Sequence, residues 1–306
     1  GIVAATTVLT GGTISSAGNF AFLSTYTYNQ TVQSLASANR STIASGVALR
    51  MNFSTIGNLI FDVASGTTSD GIDLQVNGGI INATSQGGGN IVKSGNGRLV
   101  FAGNNTYNGT TTIKRGTLSV SGNHTGAGVY SIGAANGDNG TLQVTGGSIS
   151  ASALYVGRTG NATGSVSQTN GTITVTGAGD VARIGGGDGS GDASAVGIYT
   201  ISGGTLAVTN NLQVGAYGTG IVNQSGGNIT AGGWFAIGGY AGSNGTYNIS
   251  GGSLNQTGGS NRLLIGELGS ATLNVSNTAA VNLTGGMRYL GGTGTVGGNT
   301  TISGIH

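Results

Sequence analysis

The sequence predicts an all-β chain wound as a right-handed parallel β-helix (β-solenoid), with about three short strands per coil. Three observations carry this. A short apolar phrase closed by glycine recurs five times in the second half of the chain. A second phrase with period-two alternation recurs between its copies. The 306 residues include 65 Gly and no Pro.

The first phrase reads "LYVG" (154–157), "ARIG" (182–185), "LQVG" (212–215), "FAIG" (235–238) and "LLIG" (263–266). Its closing glycines lie 28, 30, 23 and 28 residues apart. Alternation places Leu154 with Val156, Leu212 with Val214, Phe235 with Ile237 and Leu263 with Ile265 on one face. Tyr155, Gln213 and Ala236 point the other way. The second phrase reads "GTLQVTGGSIS", "GSVSQTNGTIT", "GIYTISGGTLA", "GIVNQSGGNIT" and "GTYNISGGSLN". Its apolar pairs are Tyr199/Ile201, Tyr247/Ile249 and Leu273/Val275, and after the double-glycine turn come Ile149, Ile173, Leu206, Ile229 and Leu254. Three such strands cannot close a core alone, whereas stacked coils can, each strand pairing with its equivalent in the next coil.

The missing proline follows, because Pro has no N–H to donate to a ladder that continues above and below. Abundant glycine follows too, since each coil needs several corners with positive φ. Coils of about 25 residues would number roughly 12 and build a rod of about 60 Å. Parallel crossovers wind right-handed, which sets the expected hand. The division expected is an N-terminal strand or arm over 1–30, a possible assembly segment, and a parallel β-helix over 31–306 with its clearest coils at 140–290.

Composition excludes several function classes. Charged residues make up 6% of the chain, against about 25% in ordinary domains. The ten cations are scattered, with Lys114–Arg115 the one adjacent pair, so no basic face for nucleic acid is expected. No apolar run approaches the roughly 18 residues that span a bilayer. Cysteine is absent, which removes disulfides from the argument. The start at Gly1 without Met reads as a mature or trimmed form.

Residues 91–120, "IVKSGNGRLVFAGNNTYNGTTTIKRGTLSV", resemble the autotransporter-associated β-strand repeat of bacterial secreted passengers. The carrying features are K-x-G-x-G-x-L, then G-N-N-T-Y-x-G-x-T-x-I, then G-T-L-x-V. The later repeats resemble it loosely. The resemblance implies coils of a right-handed β-helix on the cell surface. Leu99/Phe101, Thr112 with Ile113, and Leu118/Val120 read as strand residues, and "NNTYNG" as a turn. Autotransporters also end in a membrane barrel, and the residues after Leu290 do not supply one. A removed barrel, or a secreted or lattice protein without one, are the two readings.

Chemistry has little material. The acids are Asp62, Asp70, Asp73, Asp138, Asp180, Asp188, Asp192 and Glu267. Glycoside hydrolysis needs two carboxylates about 5–9.5 Å apart across a cleft. The pairs Asp70/Asp73 and Asp188/Asp192 lie in Gly/Ser-rich loops and read as solvated turn aspartates. No strand-borne Lys or Arg beside acids of adjacent coils, as an elimination site needs, is evident. "GGGDGSGD" (185–192) misses the calcium nonapeptide register. His124, read as a turn residue, and the terminal His306 form no metal or nucleophile constellation. "GTGTVG" (292–297) lacks the following helix that a phosphate loop needs. No catalytic, cofactor or metal residues are therefore predicted.

The chain carries 18 Asn-x-Ser/Thr sequons among 29 Asn. Asn223, Asn248 and Asn274 fall at one outward position of successive coils, giving either a side-chain Asn ladder, the favoured reading, or a glycan stripe. The expected function is a non-enzymatic extracellular structural solenoid, a fibre subunit joined head to tail through Ile2, Val3, Val8 and Leu9. The alternatives are the passenger of an autotransporter-like adhesin and, last, a carbohydrate-active enzyme. Self-association, with glycans or surface polymers as further partners, is the expected set of contacts.

Overall fold

A computed structural model describes residues 6–15, 20–24, 29–45, 49–53, 57–82, 89–179, 181–187, 189, 192–258, 262–283, 288–290 and 294–297. Among them the architecture is all-β: a parallel solenoid with about three strands per coil and no α-helix. Sheet 1 has twelve strands, running from Thr6–Leu9 to Arg288–Leu290. Sheet 2 also has twelve, from Thr13–Ile14 to Gly294–Gly297. Sheet 3 has seven, from Asn123–His124 to Ala280–Leu283. In the first coils its place is taken by a three-stranded sheet of Phe20–Ser24, Leu49–Phe53 and Ile80–Asn82. Between the two lies a single parallel bridge, Asn105 to His124.

The first coil thus already uses Thr6–Leu9, which pairs with Gln30–Ser34. Every alternation read from the recurring phrases has its predicted inward side. Leu154, Leu212, Phe235 and Leu263 share one buried column of sheet 1, and Val156, Val214, Ile237 and Ile265 share the next. In sheet 2, Ile201, Gln224 and Ile249 follow one another in a single buried column. Ile201 and Ile249 are therefore neighbours with one coil between them.

The glycine that closes the first phrase has a specific task. Gly238 sits at φ +63°, and an added Cβ would press on the carbonyl oxygen of Ser270. L-residues pay sterically for that backbone region, so glycine is the residue that turns sheet 1 into sheet 2 here. Gly157, Gly185, Gly215 and Gly266 repeat the same positive φ.

Three features depart from the sequence reading. Tyr107, placed in a turn, is fully buried, and His124 is a strand residue only 1% exposed. The outward row of sheet 1 is not solvated either: Gln213, Ala236 and Leu264 are 5%, 3% and 3% exposed. Residues after each closing glycine, among them Tyr217, Tyr240 and Leu268, lie over that row. Alternation gives the direction of a side chain, whereas burial depends on what the loops lay across it.

Candidate functional site

Among the described residues, the acids do not converge on a catalytic cleft. Asp70 is exposed and pairs with Arg40 at 2.8 Å. Asp73, expected in solvent, is 8% exposed, its carboxylate accepting from the backbone N–H of Gly66 at 2.6 Å and of Arg98 at 2.7 Å. Asp192 is 5% exposed and accepts from Gly160, Gly187 and Gly189 at 3.2, 3.3 and 3.0 Å. Both carboxylates are engaged by backbone N–H groups of the corners around them. Asp180, Asp188 and His306 lie outside the described residues. No group of three or more His, Asp or Glu that could hold a metal occurs among the described residues.

A second correction concerns Lys93. The sequence showed no strand-borne lysine beside acids of a neighbouring coil, yet Lys93 occupies an inward column of sheet 1 between Phe61 and Ile113. It is 0% exposed, and its Nζ donates to the carbonyls of Ser94, Gly95 and Arg115 at 2.7, 2.8 and 3.0 Å. Burial lowers its pKa to about 8, with Asp62 and then Asp73 of the preceding coil pulling it back up. A lysine bound on all its donors and shut from solvent cannot reach a substrate. It staples one corner to the next.

Asn105, Tyr107 and Thr111 of that segment are equally structural. Asn105 accepts from the Ile80 N–H at 2.9 Å and donates to the Gly103 carbonyl at 3.2 Å. Tyr107 shares a 2.6 Å hydrogen bond with Thr111. Its ring stacks on His124 with centroids 4.1 Å apart. His124 Nε2 lies 2.8 Å from the Tyr107 carbonyl, which can only accept, so Nδ1 is left to accept from the Tyr130 hydroxyl at 2.6 Å. Burial lowers the His124 pKa, raises that of Tyr107 to about 12, and holds that of Tyr130 well above its ordinary value. The ring is thus held neutral in the tautomer that satisfies both neighbours.

The Asn residues form ladders on the outside. Asn248 donates to Asn223 at 2.9 Å and Asn274 to Asn248 at 2.8 Å. Asn58 with Asn29, Asn90 with Asn58, and Asn282 with Asn255 do the same at 2.8, 3.2 and 2.8 Å. Of the proposed assembly residues, Val8 is exposed and Leu9 is buried, while Ile2 and Val3 lie outside the described residues.

One surface feature was not legible in the sequence. On the outer side of sheet 1, Trp234, Tyr240, Leu264 and Leu268 wall a cleft of about 200 Å³ with Gln213 on its floor and Glu267 at its margin. Trp234 is held at the start of a rung: its N–H donates to Asn211 Oδ1 at 2.6 Å, and its carbonyl accepts from Leu212 at 2.9 Å. The Arg262 guanidinium lies 4.9 Å from the indole centroid. Tyr240 stacks on Tyr217 at 4.2 Å and 12°, and the Arg183 guanidinium lies 5.6 Å from the Tyr217 ring. The residues that line the cleft come from three successive coils, and Arg183 from the coil before them.

No helix among the described residues is long and apolar enough to cross a membrane. No curated protein and no solved structure matches the chain. Residues 91–120, the segment that holds Lys93, Asn105, Tyr107 and Thr111, match the passenger-associated-transport-repeat family.

Proposed function

We propose that this chain is the non-enzymatic solenoid rod of an autotransporter-passenger-like protein, secreted or held at the bacterial cell surface, where it serves as a structural and adhesive element. The observation that carries this reading is the place of the matched repeat. Residues 91–120 sit within continuous parallel ladders, and Lys93, Asn105, Tyr107 and Thr111 are committed to corners and core, while Asn96, Asn104, Thr106, Asn108, Lys114 and Arg115 face solvent. Such a segment stiffens a rod and propagates it. Antibodies raised against the folded rod test the location: labelling of intact source cells is expected, and labelling only after permeabilisation would refute it. Incubation with acidic polysaccharides should yield no depolymerisation, and turnover lost on Asp73→Asn or Asp192→Asn would make the protein an enzyme.

A head-to-tail fibre is the accompanying proposal, supported by the exposed Val8 on Thr6–Leu9, the terminal strand of sheet 1 among the described residues. An unpaired strand edge is a template for another chain, and a heterologous contact of this kind does not close. Concentration-dependent sedimentation that vanishes on deleting residues 1–10 is expected. A monomer at high concentration would end the idea.

A further inference from the structure

We propose that the cleft between Trp234 and Tyr240 is a binding site for a neutral, pyranose-based polysaccharide chain. The inference goes beyond the passenger reading and does not depend on it, since it rests on the cleft alone.

A pyranose has two apolar C–H faces and a polar rim, so its site needs flat apolar walls and a few fixed hydrogen-bonding groups. The cleft supplies both. Trp234 and Leu268 are 38% and 66% exposed in a chain whose other large apolar side chains are mostly buried. The Arg262 guanidinium lies against the Trp234 indole and Tyr240 is backed by Tyr217, so both rings are braced for stacking and the ordering cost at binding is reduced. On the floor, Gln213 is more than nine-tenths buried, and its Oε1 has no hydrogen-bond partner. Buried acceptors are rarely left so, and a rotation of the amide toward the cleft would present this closed-off acceptor to a sugar hydroxyl. Glu267 provides a second acceptor at the margin.

The dimensions favour a chain over a compact ligand. About 200 Å³ is less than the roughly 300–1,000 Å³ of sites that engulf drug-sized molecules, so the cleft holds about one ring. Leu268 is shared with a second hollow of about 340 Å³, lined by Ser243, Asn244 and Ser270. An apolar-walled position beside a polar one matches consecutive residues of a polymer. Neutrality is argued from charge: the ions in reach are Arg262 beside Trp234, Arg183 behind Tyr217 and Glu267 in the lining, a small mixed set without the one-sign cluster that would select an acidic chain.

The test uses the whole chain and its single tryptophan. Cellohexaose, chitohexaose, maltohexaose and xylohexaose are titrated while Trp234 fluorescence is followed, with calorimetry as a second reading. At least one should give a saturable change, weakened roughly tenfold or more in Trp234→Ala (read by calorimetry) and Tyr240→Ala, with the melting transition unchanged. Trp234→Phe should keep most of the affinity, which a merely structural role would not predict. If none of the four binds at millimolar concentration, or if binding survives Trp234→Ala and Tyr240→Ala together, the proposal is overturned. Binding confined to acidic polysaccharides or to a protein ligand overturns it too. Surface labelling is unaffected by any of these outcomes, so the passenger reading and the cleft fail separately.

Discussion

Replacing Tyr247 by Phe removes one oxygen from the middle of sheet 2, and the structure sets the cost. Tyr247 is 0% exposed and donates to Gln224 Oε1 at 2.6 Å. Gln224, 2% exposed, donates in turn to the carbonyls of Gly227 at 3.1 Å and Ser253 at 3.0 Å. Burial keeps the phenol protonated far above its ordinary range, so the bond persists at every working pH. Tyr247→Phe conserves the ring and its edge-on contact with Phe235 at 5.4 Å, and strands one buried acceptor, at about 1–3 kcal/mol. Gln224→Leu should cost more, because it orphans the hydroxyl and two carbonyls at once. Combined, the two changes remove donor and acceptor together and leave apolar side chains in two adjacent columns, one with Val222 and Leu273 and the other with Ile201 and Ile249. The double variant should therefore be more stable than the sum of the singles predicts, by about 1 kcal/mol or more. Urea titration followed by Trp234, which lies in the sequence between Gln224 and Tyr247, reads the local unfolding directly. Tyr199 and Gln168 repeat the arrangement at 2.5 Å, and Tyr199→Phe should perturb the Trp234 signal less, since coupling in a solenoid passes chiefly between neighbouring coils. Singles that cost under about 0.5 kcal/mol, or additivity within about 0.5 kcal/mol, would refute the reasoning.

Ile249→Asp should cost more than about 4 kcal/mol by placing an unpaired carboxylate in that same column; an unchanged urea midpoint would show the column to be wrongly registered. Gly238→Ala meets both a positive φ, which costs an L-residue about 1–2 kcal/mol, and the Ser270 carbonyl, and should destabilise the fold by more than that, read as a lowered melting transition. His124 has a lowered pKa in the folded chain, so below about pH 6.5 the unfolded chain takes up a proton that the folded one refuses. Stability present above that pH should fall on acidification, by at most about 1.4 kcal/mol per pH unit, and the slope should flatten in His124→Phe when urea midpoints at pH 5 and 7.5 are compared. Peptide mass spectrometry of native material should find the peptides bearing Asn223, Asn248 and Asn274 unmodified if their amides form only their ladder; added hexose-sized increments on them would instead favour a glycan stripe.

The sequence by itself determined the solenoid, because its evidence is periodic and local. A residue repeated two positions on shares a face, a phrase repeated a coil later shares a column, and the glycine that ends "FAIG" needs a backbone region other residues avoid. That logic carried Leu154, Ile201, Ile249 and the Asn223–Asn248–Asn274 row to their places. It could not carry Lys93, because a charged residue in an apolar column is affordable only through three carbonyls supplied by Ser94, Gly95 and Arg115, and the last of these belongs to the next coil. Nor could it carry Tyr107 and His124, whose burial depends on each other and on Tyr130. The cleft is the extreme case. Gln213, Trp234, Tyr240 and Leu264 are spread along the chain at spacings that mean nothing locally. Only the stacking of coils, with each corner loop laid over the rung beneath it, brings them to one surface.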